Sequence, residues 1–487
     1  MNIPGLRPSR DREETSETRF VAALAFWLGT AALFWYALLI SIGGKGLFGP
    51  VTYGLTFNSM LVHLLHGRFD VDPRAIGVEG SIRGGATYVY FGVFPAFFRL
   101  LFLPFRNFVS TDYTRISCLV AVSLMALFKT LSVLRVWRSV LPPRGRLLVV
   151  LFIIAVLFSG PQVEFNRPSI YQEVDLWADA FAAAFVYVAL LGYFSDRGFT
   201  PGLLLVLALL AALTLHTRVS TALGLYIAMG LIWLELAWSL LREEKGERAR
   251  LSRVLALFAT ALILLSSAAV AGLINYERWG NPFLFGLPGH HLIVLKEFPG
   301  RLRITRKYGL FNFIRIGYGL MYYFFPLWGF HDANGNFFWG AFQHRTIASI
   351  ELPPDSFFIS DPLLLGLTAY SFVHLIKYRD LPKPNIVIAL LAGFSVPVVL
   401  ILIAVSMSYR YRIEFYPFLE FASFIGFGQL LSLSPKRHGA AFAAATLWSV
   451  LAAIGWWMLY AVSPLGPATK FLGRMDVVSY YLSLFRH

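Results

Sequence analysis

Runs of about 20 residues with almost no charge recur along this chain, and they restrict it to folds that live in lipid. Phe20–Gly43, Ile386–Met407 and Ala440–Val462 are each long enough to cross a hydrocarbon core of roughly 30 Å. They read as transmembrane helices. The composition agrees, with 57% hydrophobic and only 14% charged residues, against about 25% charged in an average soluble chain. A water-soluble domain could not hide that much apolar surface.

The first run follows a mixed-charge stretch, RPSRDREETSETR. It is too long for the apolar core of a signal peptide, and no small-x-small cleavage site closes it, so it is expected to stay as an anchor. The formal charge of +15 does not point to nucleic acid, because Lys and Arg are spread among loops rather than massed on one domain. Orientation signals and contacts with lipid head groups account for them. The single cysteine, Cys118, lies inside an apolar run and supports neither a disulfide framework nor a thiolate metal site.

Short loops rich in Lys and Arg tend to face the cytoplasm. One assignment puts Arg135–Arg146 (RVWRSVLPPRGR), Arg242–Arg253 (REEKGERARLSR), Lys377–Lys383 and Lys436–His438 on that side, with the weaker turn Ser195–Gly198. The condition is that Tyr88–Phe105 (YVYFGVFPAFFRLLFLPF) does not span. With Pro95 and Arg99 in its middle, it reads instead as an interfacial or re-entrant helix in an outer loop, preceded there by a short amphipathic helix at Phe57–His66.

The resulting plan is an all-α bundle of roughly eleven spans. They lie near 20–43, 112–134, 147–161, 174–194, 201–217, 219–241, 254–275, 358–376, 386–407, 414–433 and 439–463. A cytoplasmic tail (1–19) precedes the membrane domain (20–463), whose outer loops are 44–111, 162–173 and 276–357; an outer tail (464–487) follows. The last long loop is expected to carry an amphipathic helix around Leu310–Tyr323. No internal repeat is evident, which weakens an inverted-repeat transporter.

Acidic residues number only 27, and several lie in the tail or the cytoplasmic loops. On the outer side stand Asp70 and Asp72 (GRFDVDP), Glu79 (GVEG), and Glu164, Glu173 and Asp175 (VEFNRPSIYQEVDLW). Carboxylates converging from two loops suit glycosyl transfer, where one takes the acceptor's proton while others orient the acceptor or hold a divalent cation such as Mg²⁺ or Mn²⁺. The bland alternative is a turn at Asp70 and Asp72 and a helix cap at Glu173 and Asp175.

Arginines at the outer ends of helices form the second constellation: Arg167, Arg218 (LTLHTRVSTALG), and Arg410 with Arg412 (SMSYRYRIEFYPF). An arginine at the membrane boundary calls for an anionic partner, and its planar fork suits phosphate. Snorkelling to head groups is the competing explanation. Arg301, Arg303, Arg306, Lys307 and Arg315 make a basic strip that attraction to anionic lipid explains as well as a docked phosphate does. His216 reads as structural.

In their order along the chain, HLLHGRFDVDP, GGATYVYFGVFPAFFRL, RPSIYQEVDLWADA, NYERWGNPFLFG and RYRIEFYPF resemble the GT-C superfamily of polyprenyl-phosphate-sugar-dependent glycosyltransferases, which includes protein mannosyltransferases and the lipid A aminoarabinose transferase. The resemblance covers most of the chain. It implies a GT-C-like bundle with juxtamembrane helices in the first outer loop, in a bacterial inner membrane, with the N-terminus in the cytoplasm and the active site facing outward. It further implies a polyprenyl-phosphate-linked sugar donor, a glycan, lipid or protein acceptor, and a first-loop carboxylate as base. Where many members carry an aspartate before the first amphipathic helix this chain has VTYGLTFNS, so that role falls to Asp70, Asp72 or Glu79.

The expected reaction is an inverting displacement. Asp70 or Asp72, ahead of Glu79, deprotonates the acceptor; Arg218, Arg410 and Arg412 receive the phosphate; Tyr171 and Glu173 orient substrate, with Arg167 beside them. Two rivals stay open: a lipid or solute transporter or flippase, and an inactive scaffold of glycan assembly. A transporter calls for ionisable residues buried at mid-span. Lys129 and Glu235 are read as lying toward the cytoplasmic helix ends, where they can snorkel.

Overall fold

The computed structural model describes residues 16–41, 46–140, 145–242, 247–286, 288–296, 299–326, 340–351, 355–433 and 438–462. The tail 464–487, most of the N-terminal tail and parts of several loops lie outside them. Among the described residues, eleven helices of at least 12 residues stand at the eleven positions expected for spans: α1 (Ser16–Ser41), α2 (Thr114–Ser139), α3 (Arg146–Phe158), α4 (Ile170–Tyr193), α5 (Pro201–Leu215), α6 (Val219–Arg242), α7 (Glu247–Trp279), α8 (Pro362–Val373), α9 (Pro384–Leu402), α10 (Tyr416–Leu433) and α11 (Gly439–Val462). Among the described residues seven are long and apolar enough to cross a membrane: α1, α2, α4, α6, α7 from Arg250 onward, α9 and α11. The chain is an integral, multi-pass membrane protein.

Helix α4 is the axis of the bundle. Of its apolar window 89% is buried, against 28% for α1, α7 and α11, whose side chains face outward as lipid-exposed surface does. It packs along α2, while α6 packs along α9 and α8 along α10. Small residues allow these backbones to approach closely. A Cβ placed on Gly393 of α9 would lie 2.5 Å from Ala228 of α6, and one on Gly426 of α10 would lie 2.2 Å from the Leu367 carbonyl of α8.

The two ends of the bundle differ. At one end the Lys/Arg-rich loops gather: the Lys383 ammonium donates to the Tyr193 and Ser195 carbonyls (2.8 and 2.7 Å), Arg135 to the Phe194 carbonyl, and Arg197, Arg253 and Lys383 line one cavity. At the other end the first loop meets residues 288–296 through the Leu292 amide on the Gly80 carbonyl, and the 162–169 turn meets Glu351 through Arg167.

The segment 88–105 does not span, but neither is it one interfacial helix. It forms a short α-turn at Phe94–Phe98 and a 3-10 turn at Arg99–Phe102, packed inward so that Arg99 is fully buried. The helix expected near 310–323 appears as Ile316–Phe324. Arg315, read as part of a head-group strip, is fully buried instead. Its guanidinium donates to the carbonyls of Gly309, Leu310, Thr346 and Ile403 and knots the last long loop onto the end of α9.

Candidate functional site

The first helix of the first loop is Thr56–Leu65. After it the chain turns through GRFDVDP, and the three first-loop carboxylates part company. Asp70 is held by the Arg68 guanidinium and stands 3.1 Å from His63. Those hydrogen bonds outweigh its partial burial and keep its carboxyl below the usual range. Asp72 is exposed and caps the turn Pro73–Ile76, accepting from the Arg74 amide at 2.8 Å. Both are spent locally.

Glu79 goes inward. Gly77 makes this possible: its φ of +56° lies in the left-handed region, and a Cβ there would meet the Tyr53 ring at 2.7 Å. The chain thus reverses and delivers Glu79 into the interior at 7% exposure. Its carboxylate lies 3.3 Å from the His291 ring and faces the Tyr171 hydroxyl. Burial alone would raise its pKa, but the bonds from His291 and Tyr171 and the charges of His291 and Arg410 prevail and hold the carboxyl below its ordinary value. His291 is fixed there by backbone pairing with Ser81 and by the Leu292 amide on the Gly80 carbonyl (3.0 Å), which staples the last long loop onto the first.

Tyr171 is the second residue of α4, after the cap at Ser169. Against its ring, at 4.2 Å, sits the guanidinium of Arg410. Arg410 belongs to the 3-10 turn Tyr409–Phe415 that leads into α10. Its second neighbour is the Tyr411 ring at 5.1 Å, whose hydroxyl it meets at 3.4 Å. Its nearest contacts are aromatic, with the Asp175 and Glu79 carboxylates acting on it at longer range.

The other arginines are occupied by carboxylates. Arg412 bonds Asp355 and Asp361 (3.0 Å each) and Ser360 (2.6 Å) and is 5% exposed. Arg218 is shared between Asp175 and Glu414. Arg167 pairs with Glu351 at 2.8 Å, its hydrogen bond and ring contact with Tyr409 completing the grip. Glu173 is fully buried in a two-pronged bond with Arg99 (2.6 and 2.8 Å). Its expected role in orienting substrate gives way to tying the first loop to α4. Arg412 likewise turns away from the site, because Asp355 and Asp361 claim its fork.

Two cavities meet at the Tyr171–Arg410 pair, which lines both. One, of about 400 Å³, is polar, walled by Arg115, Asn166, Arg167, Gln172 and Glu351. The other, of about 190 Å³, is aromatic, walled by Tyr90, Phe91, Phe285 and Tyr411 with Arg218. Sequence reasoning missed Arg99, His291, Tyr90 and Tyr411. For Arg99 a signal existed: an arginine in an otherwise apolar, aromatic segment demands a buried carboxylate. For the divalent cation, no group of three or more His, Cys, Asp or Glu able to hold a metal occurs among the described residues.

No family model and no curated protein matches the chain. Solved structures with similar chain paths include the archaeal oligosaccharyltransferase AglB from Archaeoglobus fulgidus in complex with an inhibitory peptide and a dolichol-phosphate, at 15% identity and a TM-score of 0.47 over 89% of this chain and 55% of that one. The oligosaccharyltransferase of the same organism tethered with an acceptor peptide gives 15% and 0.48 over 93% and 55%. ArnT from Cupriavidus metallidurans bound to undecaprenyl phosphate gives 13% and 0.34 over 96% and 85%. The functional reading rests on the site residues themselves. The chain spans about 55% of the length of the two archaeal chains.

Proposed function

We propose that this protein is a membrane glycosyltransferase that moves a sugar from a polyprenyl-phosphate donor to a hydroxyl of a glycan, lipid or protein acceptor. One observation carries the reading: the Glu79 carboxylate, held below its ordinary pKa, and the Arg410 guanidinium, stacked on aromatic rings, both lie against the Tyr171 side chain. A base and a phosphate-holding cation within one side chain of each other are the two groups that an inverting displacement at an anomeric carbon requires.

In this reaction Glu79 accepts the proton of the acceptor hydroxyl, whose oxygen forms the new bond to the anomeric carbon. The bond from that carbon to the phosphate oxygen breaks with inversion, and the phosphate leaves onto Arg410. Tyr171 holds both groups in place, its hydroxyl on Glu79 and its ring under Arg410. Arg218 is already neutralised by Asp175 and Glu414, so it sets the position of the turn that carries Arg410 rather than binding phosphate. The Lys/Arg-rich end is placed in the cytoplasm by the charge rule. The site then faces outward from a bacterial inner membrane with the N-terminus inside.

The test is transfer of radiolabelled sugar from a panel of polyprenyl-phosphate sugars, measured in membranes. Glu79→Gln is expected to lower transfer by roughly 10²- to 10⁴-fold, while Asp70→Asn and Asp72→Asn retain it. Full activity in Glu79→Gln would refute the assignment.

The transporter reading has one observation on its side. Lys129 does not snorkel to a helix end: it is 3% exposed and bonded to Asp179 and Glu420 inside the bundle.

A further inference from the structure

Three helices bring ionisable side chains together below the candidate site. Lys129 of α2 lies 2.6 Å from Glu420 of α10 and 3.4 Å from Asp179 of α4, and all three side chains are 4% exposed or less. Asp179 is two helical turns, about 12 Å, along α4 from Tyr171. The groups around the cluster are already engaged. Tyr416, whose ring faces Lys129 at 5.1 Å, gives its hydroxyl to Asp361 at 3.0 Å. Tyr36 of α1 gives its own to the Leu157 carbonyl at 2.5 Å. Beyond Tyr416, Arg412 is shared between Asp355 and Asp361.

The charges do not balance. Two carboxylates face one ammonium, and the next cation along is itself divided between two further carboxylates. The Oδ1 of Asp179 is buried with no hydrogen-bond partner among the described residues. A second ionised carboxylate with no cation of its own, in so apolar a place, costs far more than taking up a proton does. We propose that Asp179 and Glu420 hold one proton between them at neutral pH, so that the Lys129 cluster is a proton-binding site inside the bundle.

The site is mechanically tied to the far end of α4. Tyr171, Asp175 and Asp179 follow at intervals of four and so lie along one face of the helix. That face is pinned at three heights: Tyr171 by Glu79 and Arg410, Asp175 by Arg218, and Asp179 by Lys129. Releasing the proton leaves a net negative charge that the cluster cannot compensate and loosens the lowest pin. The proton therefore acts as a structural ligand of α4, whatever reaction the upper end performs.

Infrared difference spectroscopy of the purified protein in lipid nanodiscs, between neutral and alkaline pH, reads the site directly. Beside the component that Glu164→Gln removes, wild type is expected to show a protonated carboxylic acid C=O band that vanishes on alkalinisation. That band is expected to be missing from both Glu420→Gln and Asp179→Asn, each of which leaves one carboxylate opposite Lys129. A wild-type spectrum without the band, or a band that both substitutions leave intact, would overturn the proposal. Thermal unfolding supplies a second readout. Because the folded state holds a proton that the unfolded chain gives up, wild-type stability falls as pH rises through its release. Glu420→Gln is expected to lose that component of the slope. An unchanged slope in both variants would count against the site.

Discussion

Arg410 and Arg412 lie two residues apart on one short turn, and their surroundings are opposite. Arg412 points into a closed set of groups, two carboxylates and a hydroxyl, that engage both of its terminal nitrogens. Arg410 lies against the faces of Tyr171 and Tyr411 at the junction of two cavities. A guanidinium surrounded by carboxylates is a structural tie, since its charge is already cancelled. One held by aromatic rings keeps its charge and its donor fork for a ligand. Arg99, Arg167 and Arg218 fall on the Arg412 side of this division. Among these five arginines Arg410 is the exception, and it defines the site.

The largest expected effect follows from the tie. Arg412→Met leaves Asp355 and Asp361 buried together without their cation and is expected to cost about 3–5 kcal/mol of stability, measured as loss of folded protein on heating in detergent. The same change at Arg410 removes two ring contacts and is expected to cost about 1 kcal/mol. Equal losses at the two positions would erase the distinction.

A smaller effect separates the two roles of Tyr171. Tyr171→Phe keeps the ring under Arg410 but removes the hydroxyl from Glu79. Transfer is expected to drop by about 2- to 10-fold, the worth of one hydrogen bond, with phosphate binding unchanged. A loss of binding would mean that the hydroxyl, not the ring, positions Arg410.

The smallest effect concerns a carboxylate that no arginine grips. Glu164 is buried, which pushes its pKa up to about 8 despite its bond to Gln172 and the charge of Arg167. Its raised folded-state pKa means a contribution to stability that is complete at low pH and is lost as pH climbs from about 4.5 to about 8. Glu164→Gln is expected to flatten that decline in a melting-temperature profile.

Much of the helix plan was legible because hydrophobic length is a local property, and each of the eleven expected segments holds a helix. The non-spanning nature of 88–105 was legible from Pro95, Arg99 and the placement of basic loops. What sequence could not give was the partner of each charge. Asp70, Asp72 and Glu79 look alike within ten residues, and only the turn at Gly77 sends the third inward. Arg410 and Arg412 look like a pair, and only the distant Asp355 and Asp361 separate them. Lys129 read as a snorkelling residue because its partners lie 50 and 291 positions away, on other helices. Ion pairs between helices leave no periodic trace.

On the proposed reading Arg410 holds the donor's phosphate. The direct measurement is a binding isotherm for polyprenyl phosphate on wild-type and Arg410→Met protein in nanodiscs. Charge-assisted hydrogen bonds worth about 1.5–3 kcal/mol predict a 10- to 150-fold weaker affinity for the variant, at a melting temperature close to wild type. Unchanged affinity in a folded Arg410→Met protein would contradict the account.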